Sequence, residues 1–155
     1  MNNSGFATGL LSRWLPAVAW AIVISLLSSD AFSGHATGGF LLPLLDRLFP
    51  GASPDALLEL HARMRKLAHV TEYAVLAVLV FRALDRPGRP LATIAGVTLL
   101  ACAGYAVLDE LHQSFVPSRV GAPLDVALDT AGAALGLGAR VLVRAVFSAG
   151  RRSPA

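Results

Sequence analysis

Three short stretches of this sequence gather the residues that could do chemistry, and each borders an apolar run. The first is Lys66-Leu67-Ala68-His69-Val70-Thr71-Glu72-Tyr73. On a helix Lys66, His69 and Tyr73 stand at i, i+3 and i+7, within about 60° of one another around the axis. Glu72 falls on the adjacent face. In the second stretch Asp109 and Gln113 are four residues apart and share a face, flanked by Glu110 and His112. A connector carrying Arg119 follows, and then Asp125 and Asp129, again four apart. Gly132 and Gly136 continue that stripe as a G-x-x-x-G surface that another helix can approach closely. Carboxylates and imidazole can bind and move protons. Lys66 and Arg119 are suited to holding a phosphate or carboxylate.

Sharper motifs do not hold. Asp109-Glu110-Leu111-His112 spells a helicase-like D-E-x-H, but no glycine-rich phosphate loop accompanies it. His69 and Glu72, with Asp109, Glu110 and His112, include metal-ligating types but lack a fixed ligand spacing, so no metal is expected. Neither a G-x-S-x-G elbow nor a Ser/Lys pairing points to covalent catalysis. Cys102, the one cysteine, lies inside an apolar run, which rules out an intrachain disulfide and makes it a small packing residue. No cofactor is expected.

The elements that must position these residues follow from composition. Of 155 residues, 55% are hydrophobic and 15% charged, and the mean hydropathy is +0.62. A soluble domain carries roughly a quarter charged residues, so lipid must solvate much of the surface. Four apolar stretches stand out, from Trp14 to Ser29, Leu67 to Leu84, Leu91 to Leu108 and Leu124 to Val143. A spanning helix needs about 17–25 mostly apolar residues; the last three qualify and the first is short. Arg13 and the small residues Ser28, Ser29 and Ala31 also resemble a signal peptide. Trp14 and Trp20 suit interfacial anchors, however, and no clean A-x-A site follows.

The expected fold is therefore all-α: a four-helix transmembrane bundle with a short interfacial helix in the first connector. In that connector Gly34 to Gly39 reads as loop, whereas Phe40, Leu41, Leu44, Leu45, Leu48 and Phe49 recur at helical spacing with Asp46 and Arg47 opposite. Ser53-Pro54-Asp55 reads as a helix start that can run directly into span two. Asp85-Arg86-Pro87-Gly88-Arg89-Pro90 is a tight turn between spans two and three. We divide the chain into an N-terminal segment, 1–13, a membrane domain, 14–147, and a polar tail, 148–155.

Alternation of the spans puts the start of span two, the end of span three and the start of span four at one membrane face, together with their polar residues. With the N-terminus inside, the inner segments hold eight arginines (13, 82, 86, 89, 140, 144, 151 and 152). The outer segments hold Arg47, Arg63, Arg65, Lys66 and Arg119. The excess of inner charge orients both termini to the cytoplasm of a plasma-membrane protein and the polar face outward. The net charge of +3 and pI of about 9.8 arise from these helix-end arginines rather than from a basic stripe, so nucleic acid is not an expected partner.

A charge deep in a bilayer costs at least about 2.5–3.5 kcal/mol. Glu72 and Asp129, a turn or so inside, must therefore face the bundle interior and find cations such as Lys66, His69 and Arg119. Either the cluster fixes helix packing or it is a binding or catalytic site.

Together the three blocks resemble the VanZ-like integral membrane protein family. The matching residues are Lys66 to Tyr73, Asp109-Glu110-Leu111-His112-Gln113-Ser114-Phe115-Val116-Pro117-Ser118-Arg119, and Asp125-Val126-Ala127-Leu128-Asp129-Thr130-Ala131-Gly132 followed by Gly136. Ser118 stands where the family usually has glycine, and Asp129 where asparagine is also common. The resemblance covers Trp14 to about Val143. It implies a four-helix membrane protein of the cell envelope, and the family's namesake is associated with resistance to the glycopeptide teicoplanin.

The leading expectation is that Lys66, His69, Glu72, Tyr73, Asp109, Glu110, Gln113, Arg119, Asp125 and Asp129 form an outer-face cluster engaging a lipid headgroup or an envelope precursor. Membrane lipids are then partners, and a homo-oligomer is a further possible partner state. An enzyme using His69 or Glu72 as base, with Asp109 and Glu110 as acid or ligands, is the alternative class. A small proton- or cation-coupled carrier relaying through Glu72, Asp109 and Asp129 is the other, although no inverted repeat supports it.

Overall fold

The computed structural model describes residues 3–116 and 123–150. Its elements are α1 (Asn3–Leu27), a single 3-10 turn (Asp30–Phe32), α2 (Gly34–Leu48), α3 (Pro54–Leu84), α4 (Leu91–Ser114) and α5 (Pro123–Gly150), with no strand among the described residues. α3, α4 and α5 are each long and apolar enough to cross a membrane. α1, from Leu11, passes the same test only jointly with the stretch that ends at Leu48, from which it bends by 72°. The fold is thus an all-α bundle with three helices fit to cross a membrane, α3, α4 and α5, or four crossings where the bent α1–α2 pair counts as one span.

The starts are where side chains can cap them. Ser53 Oγ accepts from Ala56 N at 3.2 Å and Pro54 opens α3, which continues unbroken into the second span. In the α3–α4 connector Arg89 N donates to Arg86 O at 3.2 Å, and Gly88 has φ +82°. Proline at the second turn position and glycine at the third are what a type II turn requires.

Two expectations need correcting. Gly34 to Gly39 is not a loop: α2 begins at Gly34, with Ser33 Oγ capping Ala36 N at 3.2 Å. Gly34 and Gly38 face α3 at ordinary contact distance, and Gly39 faces open space. A Cβ on Gly34 would lie 3.7 Å from the Arg65 guanidinium carbon, and one on Gly38 would lie 3.5 Å from His61 Cε1. The apolar stripe of α2 is also divided. Leu45 is buried, whereas Phe40, Leu44, Leu48 and Phe49 are exposed, as suits a helix with one side on the bundle and another on lipid. Helix α4 outlasts its apolar run by more than a turn, ending at Ser114, so Asp109, Glu110 and Gln113 sit on regular helix and are buried.

α3 and α5 make the most intimate pair and run parallel. Gly132 rests on the backbone of Val70, and Gly136 on that of Ala74. Around this seam Tyr73, Phe81, Ile24, Ile94, Cys102, Ala106 and Ala133 form the core. Thr98 satisfies its hydroxyl on Ile94 O at 2.8 Å, which keeps a polar group tolerable there. The perimeter is apolar instead of polar: Leu100, Leu111, Leu135, Leu142 and Val146 are all exposed, as lipid solvation demands.

Candidate polar site at one end of the bundle

The end of α1, α2, the middle of α3, the end of α4 and the start of α5 meet at one end of the bundle. Ser28 follows α1 directly, and its Oγ donates to Asp109 Oδ2 at 2.8 Å. Gln113 Nε2, one turn further along α4, donates to the same oxygen at 3.0 Å and to Ser28 Oγ at 3.4 Å. Three buried side chains, from α4 and the turn after α1, thus satisfy one another, which is how a carboxyl group is tolerated at 4% exposure.

A second buried pair joins α3 to α5. His69 Nδ1 lies 3.3 Å from Asp129 Oδ1, with Asp129 side-chain exposure 1% and His69 18%. The contact lacks the alignment of a hydrogen bond, so both atoms retain unspent capacity. Glu72 and Asp109 also lie near enough to act on the imidazole charge. Tyr73, one turn along α3 from His69, is fully buried, and its hydroxyl makes no hydrogen bond among the described residues. Its ring packs against that of Tyr105 at 6.2 Å, and Tyr105 Oη shares a hydrogen bond with Ser25 Oγ at 2.8 Å. Trp20 Nε1 donates to Glu72 O at 2.9 Å, which pins α1 to α3 beside the cluster.

Between the end of α1, α2 and α3 the structure leaves a cavity of about 140 Å³. Its polar lining is Ser28, Thr37, Arg65, His69 and Glu72, and its apolar lining includes Leu27 and Phe32. Arg65 Nη1 donates to Phe32 O at 3.0 Å and to Thr37 Oγ1 at 3.2 Å. Thr37 Oγ1 also meets His61 Nε2 at 3.2 Å. The other guanidinium donors of Arg65 make no hydrogen bond among the described residues. A half-buried cation with spare donors, beside an imidazole, has the chemistry to hold an oxyanion, and Glu72 on the same lining limits its net positive charge.

Of the residues singled out from sequence, His69, Glu72, Tyr73, Asp109, Glu110, Gln113 and Asp129 come to this end of the bundle. Asp125 is half-buried and acts electrostatically on both Arg65 and Asp129. Lys66 is exposed and does not line the cavity. Arg119 lies outside the described residues, as does Ser118. Sequence reasoning missed Arg65, Ser28, Thr37 and His61. The available signal was spacing: His61, Arg65, Ala68 and Glu72 form an i, i+4, i+7, i+11 stripe along α3. Among the described residues no group of three or more His, Cys, Asp or Glu is arranged to hold a metal ion.

This arrangement can be compared with known proteins. The VanZ/LLP1 family model matches residues 14–144. The chain belongs to the VanZ/LLP1 family. No curated protein and no solved structure matches it. Within the VanZ/LLP1 match fall α2, α3, α4 and the greater part of α5, so both buried pairs and the Arg65 cavity belong to the family domain.

Proposed function

We propose that this VanZ/LLP1 protein resides in the plasma membrane as part of the cell envelope. Its Arg65 cavity receives the anionic head of a lipid or of a lipid-linked envelope precursor. The observation that carries the reading is a guanidinium with unspent donors, next to His69, in a cavity whose other wall is apolar. An oxyanion can bond to Arg65 while an attached chain runs along Leu27 and Phe32 into the bilayer. α2, with its apolar outer side, then marks the membrane surface at which such a head lies. Altered availability of an envelope precursor would change susceptibility to glycopeptides of the teicoplanin type.

The test compares Arg65→Gln and Arg65→Lys with the parent chain in a deletion host, reading teicoplanin susceptibility and the amount of folded protein. Arg65→Gln should lose the phenotype at near-normal protein level, and lysine should recover it in part. If Arg65→Gln is folded and its phenotype is unchanged, the cavity is not the site. The His69–Asp129 pair supports a second reading, an enzyme with His69 as general base oriented by Asp129. In that case His69→Gln would abolish function while ligand retention by the purified protein stays intact.

A further inference from the structure

The opposite end of the bundle carries a second, larger cavity of about 590 Å³. It is lined by the α3–α4 turn (Asp85, Arg86, Pro87, Gly88) and by α5 (Arg140, Val143, Arg144, Phe147). Its charge is unbalanced. Arg144 Nη1 donates to Asp85 Oδ1 at 2.7 Å and neutralises that carboxylate. Arg140 stands further off, at 3.9 Å from Asp85, with its guanidinium 5.4 Å from the centre of the Phe81 ring. Arg86 makes no ion pair among the described residues. At the rim Arg13 Nη1 donates to Asp85 O at 3.2 Å and Arg89 Nη1 to Leu84 O at 3.4 Å. Each caps the carbonyl end of α3 and keeps its charge.

We propose that this cavity binds the phosphate of an anionic phospholipid from the adjacent leaflet, held by Arg86 and Arg140. One carboxylate among these arginines leaves a net positive basin, and planar guanidinium groups suit phosphate oxygens. The exposed apolar side chains Val143 and Phe147 give acyl chains a path from the basin into the bilayer. This favours a lipid over free phosphate as the source of the anion. Basic pockets between spanning helices hold lipid headgroups in this manner. The bound lipid would tie the turn after α3 to α5 and so brace the parallel α3–α5 seam from the end remote from the Arg65 cavity.

The experiment uses the full chain purified in mild detergent and offered phosphatidylglycerol, phosphatidylcholine or inorganic phosphate. Retained lipid is read by native mass spectrometry, and the melting temperature is read with each addition. Phosphatidylglycerol should be retained over phosphatidylcholine and should raise the melting temperature. Arg86→Gln and Arg140→Gln should each weaken retention about fivefold, the usual effect of one basic group at a lipid surface. Arg86→Lys should retain most of the binding. Arg63→Gln, which removes an exposed arginine paired with Glu59 on the N-terminal part of α3, should change nothing. If Arg140→Gln fails to fold, Arg86→Gln carries the test, because it breaks no ion pair. Equal retention of the two lipids would overturn the proposal, as would unchanged retention in a folded Arg86→Gln protein. Stabilisation by inorganic phosphate equal to that by phosphatidylglycerol would overturn the lipid assignment and leave a soluble-anion site.

Discussion

Asp129 has almost no exposure, and among the described residues it is partnered by His69 at 3.3 Å, so the cost of losing either residue depends on what the other is left facing. Asp129→Ala leaves the imidazole beside an apolar void. The cost should be about 1–3 kcal/mol if the pair is neutral and about 3–5 kcal/mol if it is ionised. The melting temperature and yield of folded protein in detergent will show which regime holds. Asp129→Asn keeps the volume and one acceptor oxygen, so it should cost less than the alanine variant. His69→Ala combined with Asp129→Ala should cost less than the sum of the singles, because removing both partners leaves neither stranded. Strict additivity would show that the two side chains do not interact. By contrast Asp109 is satisfied by two partners, Ser28 and Gln113. Ser28→Ala should therefore be tolerated with a loss of about 0.5–1.5 kcal/mol, the net worth of one hydrogen bond.

Among the elements, the α3–α5 seam sets how close the two halves of the polar site can come. Bilayer helices gain little from hydrophobic association, so small residues at close contacts hold them together. An alanine Cβ at Gly136 would fall 2.6 Å from Ala74 Cα, and one at Gly132 would fall 2.8 Å from Val70 Cα, both in rigid backbone. Gly132→Ala and Gly136→Ala should each cost about 1–3 kcal/mol through overpacking. Gly138→Ala meets nothing within 4 Å and should be neutral or slightly stabilising, since alanine is the better helix former. A detergent melting series of the three variants decides this, and equal effects at all three positions would remove the seam from the argument. The seam was legible in the sequence because Asp125, Asp129, Gly132 and Gly136 share one stripe, and a stripe that combines glycine with carboxylates cannot face lipid. Spacing also revealed the α3 cap at Ser53 and the tight turn at Gly88, and the alternation of spans put the polar start of span two, end of span three and start of span four at one end. α2 was only half legible. Glycine signals a chain reversal, and only the packing of α2 against His61 and Arg65 of α3 shows that this stretch is helical. Arg65 was read as a helix-end charge because nothing local reveals that a helix after the first span folds back over it.

For the whole molecule, the polar groups at the two ends differ in kind. Among the described residues one end gathers His69, Glu72, Asp109 and Asp129 near one lining arginine, Arg65, while the other gathers arginines around one lining carboxylate, Asp85. Arg13 of α1 and Arg144 of α5 both bond Asp85, so these parts of α1 and α5 lie at the same end of the bundle. Whichever way the protein inserts, Arg13 and Arg144 should face the same side. The sign of the insertion follows from charge along the sequence: eight arginines fall in the segments expected inside, against five arginines and lysines in those expected outside. Arg65 weakens the lesser set further, because it is drawn into the cavity and hydrogen-bonded. The Asp85 end should therefore face the cytoplasm and the Arg65 cavity the outside. Single-cysteine labelling at Ser118 in a Cys102→Ala background, with an impermeant maleimide on intact cells, measures this directly. Labelling before permeabilisation is the expected result, with a matching cytoplasmic signal from reporters fused to each terminus. Labelling only after permeabilisation would invert the protein. The Arg65 cavity would then face cytoplasmic precursors rather than the outer envelope, and the arginine basin would face the outer leaflet. Reporters giving opposite signals at the two termini would contradict the shared contact with Asp85 and with it the four-crossing bundle.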